Sequence, residues 1–205
     1  MIISQKAFDL IVQEETGGEK YYNMKEERPD WPQGASGVTI GCGYDLGYET
    51  AAQIETDWDD YVRTDMLATM QECAGIHGSP ARALAREVRS KILIPWDVAI
   101  KVFRNRDVPK WEKIVQTALS NTEKLSGDSF GALVSLAFNR GASFGLTGAR
   151  YEEMRQIKAY MESENFAAIT HEFRSMKRLW PNSSDLRNRR DHEAALFESG
   201  LTVAV

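Results

Sequence analysis

The glycine-rich stretch Ser36-Gly-Val-Thr-Ile-Gly-Cys-Gly-Tyr-Asp-Leu-Gly47 sets the architecture that we expect for this chain. It mixes β-branched residues with glycines, which is typical of short, twisted strands and tight turns. Seven of the fifteen glycines lie between residues 17 and 48. Pro29 and Pro32 bracket Trp31 in a loop just before the stretch. We therefore expect a small β-region at about residues 17–48.

A helix is predicted immediately before the β-region, from Ser4 to Thr16. Ser4 suits the N-cap position, and Gly17 and Gly18 end the helical pattern. One face of this helix carries residues at the spacing i, i+3, i+4 and i+7, namely Phe8, Ile11, Val12 and Glu15.

The pattern after residue 48 is helical throughout. We expect helices at 49–73 (broken or bent around Thr56-Asp57), 80–91, 96–105, 108–119, 129–140, 148–161, 164–175 and 186–198. The segment Phe130 to Phe138 is apolar almost all round, which indicates a buried central helix. The predicted fold class is therefore α+β, in one domain of 205 residues with a helical lobe at about 49–205.

The composition is that of an ordinary globular protein, with 42% hydrophobic and 27% charged residues. No apolar run reaches the roughly 20 residues that span a membrane, and no Sec signal precedes the first helix. Synthesis in the cytoplasm without a Sec signal is therefore expected. The net charge of −5 makes nucleic acid a poor partner, because phosphate binding depends on Lys and Arg.

The cysteines and histidines do not form a recognisable site. Only Cys42 and Cys73 are present, so a disulfide scaffold is not expected. The histidines, His77, His171 and His192, are too scattered for the close spacing of a metal site. We expect neither a metal nor a cofactor.

Glu15 is the first candidate for a catalytic carboxyl group. An acid that must keep its proton near neutral pH should be partly desolvated. Glu15 meets this condition because it lies on the apolar stripe in the last turn of its helix, where the stripe meets a glycine-rich edge. Glu14 shares that turn but lies off the stripe. From position alone, an ordinary solvated glutamate is the favoured interpretation.

Four blocks of the sequence resemble phage-type lysozymes, in the order of that family. A helix-end Glu15 is followed by Tyr21-Tyr22, which the resemblance makes the first strand, and by the hairpin Thr39-Ile-Gly-Cys-Gly43. Ala132-Leu-Val-Ser-Leu-Ala-Phe-Asn-Arg-Gly141 is similar to the family's central helix. Arg189-Arg-Asp-His-Glu-Ala-Ala-Leu-Phe197 is similar to its Arg-Arg-x-x-Glu segment. The resemblance covers nearly the whole chain and implies a lysozyme-like fold.

The second carboxylate departs from the commonest pattern of the family. Many phage-type lysozymes have Asp six residues before the hairpin Thr, whereas this chain has Gln33 there, and its nearest upstream acid is Asp30. Asp45 lies six residues after Thr39, as in the pesticin-like branch of bacterial toxins and effectors. The resemblance to that branch implies Glu15, Thr39 and Asp45 as the catalytic set, with Asp45 preferred to Asp30. Asp45 could instead be a turn residue that caps local backbone N–H groups.

The resemblance implies a muramidase, with its active site in a cleft between the β-region and the helical lobe. It would cleave the β-1,4 bond between N-acetylmuramic acid and N-acetylglucosamine, with inversion, as phage-type lysozymes generally do. Glu15 would be the general acid, and Asp45 with the Thr39 hydroxyl would activate water. The candidate substrate-binding residues are Tyr21, Tyr22, Tyr44, Asn139 and Arg140.

Two other functions and several biological settings stay open. A lytic transglycosylase would need a lone Glu, and a non-catalytic module would bind glycan without cleaving it. The expected partner is bacterial peptidoglycan, with an immunity protein or a delivery system as further candidates, and the expected state is a monomer. Either a holin or a secretion system could bring the protein to the periplasmic or extracellular wall, so an endolysin and an effector toxin both fit.

Overall fold

The computed structural model describes residues 2–202, which are mostly helical with a small two-stranded antiparallel sheet. This confirms the α+β class expected from the sequence. The helices of the described residues are α1 (Gln5–Thr16), α2 (Glu19–Lys25), α3 (Ala51–Trp58), α4 (Thr64–Gln71), α5 (Ser79–Val88), α6 (Trp96–Val102), α7 (Val108–Ala118), α8 (Gly127–Arg140), α9 (Glu152–Glu162), α10 (Phe166–Ser175) and α11 (Ser184–Leu201). The strands are β1 (Thr39–Ile40) and β2 (Tyr44–Asp45). Short 3-10 turns lie at Leu46–Tyr48, Thr122–Lys124, Ala149–Tyr151 and Met176–Leu179, and a π-helical turn lies at Phe103–Asp107.

The chain folds as two compact units. Residues 12–107 form the first, here called the β-unit, and the chain up to Ile11 together with the chain from Val108 onward forms the second, the helical unit. The sequence suggested a boundary near residue 48. The structure groups residues 49–107 with the hairpin instead, because Ile54, Trp58 and Val88 share one core with Val38 and the strand residue Ile40.

Helix α1 forms as the sequence predicts. The Ser4 hydroxyl accepts a hydrogen bond from the Ala7 N–H at 3.0 Å, which is an N-cap contact. Phe8, Ile11 and Val12 are buried on the predicted stripe. Gly17 follows the last residue with a φ of 66°, a left-handed conformation that glycine adopts without strain.

The glycines of the hairpin region allow close backbone approach. A Cβ atom on Gly37 would lie 2.5 Å from Gly47 Cα and 2.4 Å from Asp45 Oδ1. A Cβ atom on Gly47 would lie 2.4 Å from the carbonyl oxygen of Ile76. All three distances are well inside van der Waals contact, so only glycine fits at these two positions. This is the physical basis of the glycine-rich stretch.

The helical unit is built around α8, which confirms the predicted central helix. Residues Ser129 to Ala137 of α8 are all buried. Gly131 brings α1 close, since a Cβ atom there would lie 2.1 Å from Ala7 Cβ. Helix α11 contributes the fully buried Glu193, whose Oε1 accepts hydrogen bonds from Ser135 Oγ at 2.7 Å and from Arg190 at 2.7 Å.

Two local predictions differ from the structure. Tyr21-Tyr22 is not a strand, because Glu19–Lys25 forms helix α2. The aromatic pair favours a strand locally, but Glu19 in the first turn and Lys25 in the last complement the helix dipole. The predicted helix at 49–73 is two helices, and the break falls at residues 59–63 rather than at Thr56-Asp57.

Candidate active-site pocket

The β-unit contains a pocket of about 400 Å³. The last turn of α1, helix α2, the loop that follows α2, and the hairpin all contribute to its wall. The lining residues are Glu15, Tyr21, Lys25, Glu26, Arg28, Asp30, Pro32, Thr39, Gly41 and Gly43. The lining residues include three acids, two bases, a threonine and a tyrosine, a composition that suits a polar substrate.

Glu15 enters this pocket from the C-terminal turn of α1. Its side chain is half-buried, and its Oε1 atom is inaccessible to solvent. Glu14, the alternative in the same turn, is half-buried too but does not line the pocket. The position of Glu15 follows from its place on the apolar stripe, which the sequence had indicated.

Thr39 lies on β1, between two acidic residues. On one side its backbone pairs with Asp30, with N–H···O=C bonds of 2.9 and 3.0 Å in the two directions. On the other side it faces Asp45 across the hairpin. The Thr39 Oγ1 atom is buried and has no hydrogen-bond partner among residues 2–202. A buried hydroxyl of this kind has a donor and an acceptor available for a bound molecule.

The carboxylate of Asp45 is bound to the backbone of its own loop. The Gly37 N–H donates to both Asp45 oxygens at 3.0 Å, and the Gly47 N–H donates to Oδ1 at 2.9 Å. Asp45 is also the N-cap of the turn Leu46–Tyr48. It does not line the pocket that holds Glu15 and Thr39. These contacts are the backbone-capping role that the sequence allowed as the alternative for this residue.

Asp30 differs from Asp45 on each of these points. Its side chain is exposed and lines the pocket with Glu15 and Thr39. Residues 31–38 form a loop between the two paired positions, so Asp30 reaches Thr39 although it lies nine residues upstream. In many phage-type lysozymes the Asp lies six residues before the hairpin Thr. A search at that spacing misses Asp30, because the loop between Asp30 and Thr39 is longer.

Glu26 is a pocket residue that the sequence did not single out. Burial raises the pKa of its carboxyl group above the ordinary value of 4.5.

Cys42 lies nearby on the hairpin. The pKa of its thiol is raised to about 12, mainly by burial and then by the charges of Asp107, Glu26 and Glu15. The Cys42 thiol is therefore protonated at neutral pH, which makes it a poor nucleophile.

The three tyrosines proposed to bind substrate have different environments. Tyr21 is 48% exposed and lines the pocket. Tyr22 is fully buried, with its hydroxyl donating to the Ile94 carbonyl at 2.9 Å. Tyr44 is 8% exposed and donates to Asp57 Oδ2 at 2.8 Å. Only the ring of Tyr21 is available to a sugar, and the assignments of Tyr22 and Tyr44 are corrected because both rings belong to the core of the β-unit.

Asn139 and Arg140 lie in the helical unit, at the end of α8. Asn139 is exposed. Arg140 donates to the Arg150 carbonyl at 2.8 Å and lies 5.1 Å from the Trp180 ring centroid, a cation–π contact. Both of these partners of Arg140 belong to the helical unit.

Within residues 2–202, no cluster of three or more His, Cys, Asp or Glu side chains could hold a metal ion. None of the helices in the described part of the chain is long and apolar enough to cross a membrane.

The fold and the pocket define the protein as an α+β chain with a carboxylate-lined pocket beside a glycine-rich hairpin. The chain belongs to the family described as Domain of unknown function (DUF8812), which matches residues 5–117. The matched region takes in the whole β-unit and every residue of the pocket. A search of curated proteins gave no match.

Proposed function

We propose that this protein is a muramidase with a lysozyme-like fold, which hydrolyses the β-1,4 bond between N-acetylmuramic acid and N-acetylglucosamine in peptidoglycan. One observation carries the proposal: a single pocket is lined by the helix-end Glu15, by Thr39, whose buried hydroxyl has no partner among the described residues, and by a second acid, Asp30. Hydrolysis of a glycosidic bond usually uses a pair of carboxyl groups, one of which acts as an acid. The resemblance to phage-type lysozymes in four ordered blocks supports the same chemistry.

In this mechanism Glu15 protonates the glycosidic oxygen as the bond to the anomeric carbon breaks. Glu15 lines the pocket, so a glycan bound there lies within reach of its carboxyl group for this proton transfer. Water then adds to the anomeric carbon and loses a proton to the second carboxylate. Thr39 Oγ1 is suited to hold that water because its lone pairs and its proton are both available.

The pocket supports Asp30 as the second carboxylate over Asp45, the residue that the pesticin-like pattern implies. Asp30 is exposed in the pocket and pairs through its backbone with Thr39. Asp45 already accepts hydrogen bonds from two backbone N–H groups, so using it as a base would disrupt the hairpin. We therefore assign general base catalysis to Asp30 and maintenance of the hairpin to Asp45.

Three further pocket residues have the chemistry to bind a glycan. The exposed ring of Tyr21 offers a flat surface for the apolar side of a pyranose. Lys25 and Arg28 provide donors for sugar hydroxyl and carbonyl oxygens. The proposal needs no metal or cofactor. It makes peptidoglycan the partner, reached at the periplasmic or extracellular wall by way of a holin or a secretion system.

The test is a turbidity assay on purified peptidoglycan, with the soluble products analysed by mass and by NMR. A muramidase releases fragments with a reducing N-acetylmuramic acid end, formed first as the α-anomer if the enzyme inverts. Fragments with an anhydro end would show a lytic transglycosylase instead. Binding of the purified protein to peptidoglycan with no fragment release would show a non-catalytic glycan-binding module.

A further inference from the structure

A second depression of the β-unit borders the candidate pocket and has no role in the chemistry above. Its volume is about 570 Å³. The loop that contains Trp31 forms one side and helix α5 forms the other. Asp30 lines both depressions, so they join at that residue. We call the second depression the arginine groove.

Helix α5 and its C-cap give the groove three guanidinium groups on one face. Arg82, Arg86 and Arg89 follow the spacing i, i+4 and i+7, so they lie in a row along the helix. All three are exposed. Among the residues that the structure describes, Arg82 and Arg86 donate no hydrogen bond and join no ion pair. Two cations therefore line the groove without an ion-pair partner in this part of the chain, and Asp30 at one end is the acidic residue among its lining residues.

Trp31 and Arg89 give the groove a fixed shape. Trp31 Nε1 donates to the Ser36 carbonyl at 2.9 Å, and the ring packs against the core of the β-unit. The guanidinium carbon of Arg82 lies 5.9 Å from the centroid of this ring. Arg89 Nη1 donates to the Pro29 carbonyl at 2.7 Å, which ties α5 to the loop. The groove thus combines an apolar face with cations at its edge.

This combination selects a ligand that carries both carboxylates and apolar groups. Arginine binds carboxylates through paired N–H···O bonds. The positive groove is a local feature, because the chain as a whole has a net charge of −5. A carboxylate with nearby methyl groups would contact Arg82 and Arg86 with its charge and Trp31 with its apolar part.

We propose that the arginine groove binds the peptide stems of peptidoglycan through their free carboxylates. The proposal rests on the proposed function, since it takes the neighbouring pocket as the glycan site. A stem is attached to the lactyl group of each muramic acid, so a glycan in the pocket carries a peptide within short reach of the joining point at Asp30. Stem peptides contain alanine methyl groups as well as carboxylates, which matches the two surfaces of the groove.

The test compares the double variant R82Q/R86Q with the matched control K110Q/K113Q. The control also removes two exposed cations one turn apart, but on α7 in the helical unit. Each variant is assayed on intact peptidoglycan and on glycan strands from which an amidase has removed the stems. The ratio of interest is the rate on intact peptidoglycan divided by the rate on the stem-free strands. R82Q/R86Q should lower this ratio by about tenfold, the effect of losing two charge-assisted contacts at an exposed site. The control should leave the ratio unchanged.

A binding measurement separates this proposal from the proposed function. Calorimetry with a free stem tetrapeptide should show binding to the wild-type protein and to the lysine control, and a loss of binding in R82Q/R86Q. Stem binding without hydrolysis of either substrate would retain the stem site and refute the muramidase. Hydrolysis with an unchanged rate ratio in R82Q/R86Q would refute the stem site alone. Binding of glycerol phosphate but not of the tetrapeptide, at equal ionic strength, would also overturn the proposal, because it would assign the groove to phosphates of wall polymers.

Discussion

Replacing Asp30 and Asp45 one at a time by asparagine should separate a catalytic carboxylate from a structural one. The Asp30 side chain is exposed and makes no hydrogen bond to the rest of residues 2–202. Its replacement should therefore change the free energy of unfolding by no more than about 0.5 kcal/mol, as for most surface substitutions. If Asp30 is the base, the rate on peptidoglycan should fall by about 10²–10⁴-fold.

The Asp45 variant should behave in the opposite way. Its carboxylate accepts from the Gly37 N–H with both oxygens and from the Gly47 N–H with Oδ1, at 2.9–3.0 Å. Asparagine keeps one acceptor oxygen, loses the charge, and turns an amide N–H toward a backbone N–H. A hydrogen bond to a charged group contributes about 1.5–3 kcal/mol, so Asp45→Asn should lower the free energy of unfolding by about 1–3 kcal/mol. Asp45→Ala should cost more, since it leaves the N–H groups of the buried Gly37 and Gly47 without this acceptor.

The assay pairs urea unfolding of each variant with its initial rate on the same peptidoglycan preparation, corrected for the folded fraction. Asp30→Asn should be stable and inactive, and Asp45→Asn should be destabilised with a rate within about tenfold of wild type. The refuting result is an Asp45→Asn variant with wild-type stability and no activity, beside an active Asp30→Asn. That outcome would return the base to Asp45 and would show that the pesticin-like spacing is the better guide.

Three further predictions concern the pocket and the helical unit. Glu15→Gln should reduce the rate of hydrolysis by at least about 10²-fold without unfolding the protein, while Glu14→Gln should keep a rate near that of wild type. An inactive Glu14→Gln variant beside an active Glu15→Gln variant would mean that Glu14 is the acid. Glu26 has a raised pKa in the folded state, so its contribution to stability is complete below pH 4.5 and is lost as the pH rises through the folded-state value. Glu26→Gln should therefore flatten the decline of unfolding free energy above pH 4.5, measured by urea titrations at several pH values, and an unchanged slope would contradict the burial of this carboxyl. Gly131→Ala would set a methyl group 2.1 Å from the facing alanine of α1 and should cost about 1–3 kcal/mol by overpacking, whereas Gly145→Ala, with open space around it, should be nearly neutral in the same denaturation experiment.

Local patterns in the sequence were sufficient for much of the fold. The i, i+3, i+4 stripe of α1, its Ser4 cap and its glycine stop depend on contacts within a few residues, and all three are present in the structure. The same holds for the apolar run that becomes α8. The glycine-rich stretch predicted the hairpin because only glycine allows the close approach of Gly37 and Gly47.

The helix stripe makes Glu15 a candidate, and the resemblance to phage-type lysozymes indicates both Glu15 and Thr39. Glu15 occupies a defined position in a regular helix, and Thr39 occupies a defined position in a hairpin. The geometry of each element then carries the side chain to the pocket. Neither assignment needed knowledge of a distant partner.

Only the tertiary structure could distinguish Asp30 from Asp45 and Tyr21 from Tyr22. The distance between a carboxylate and its partner depends on how the loop at 31–38 closes, and a count of residues along the chain does not contain that information. Tyr22 is buried because a carbonyl 72 residues away accepts its hydroxyl, while its neighbour Tyr21 points to the pocket. Side chains compete for partners in three dimensions, so the role of a polar residue is fixed by which partners the fold brings within about 3 Å of it.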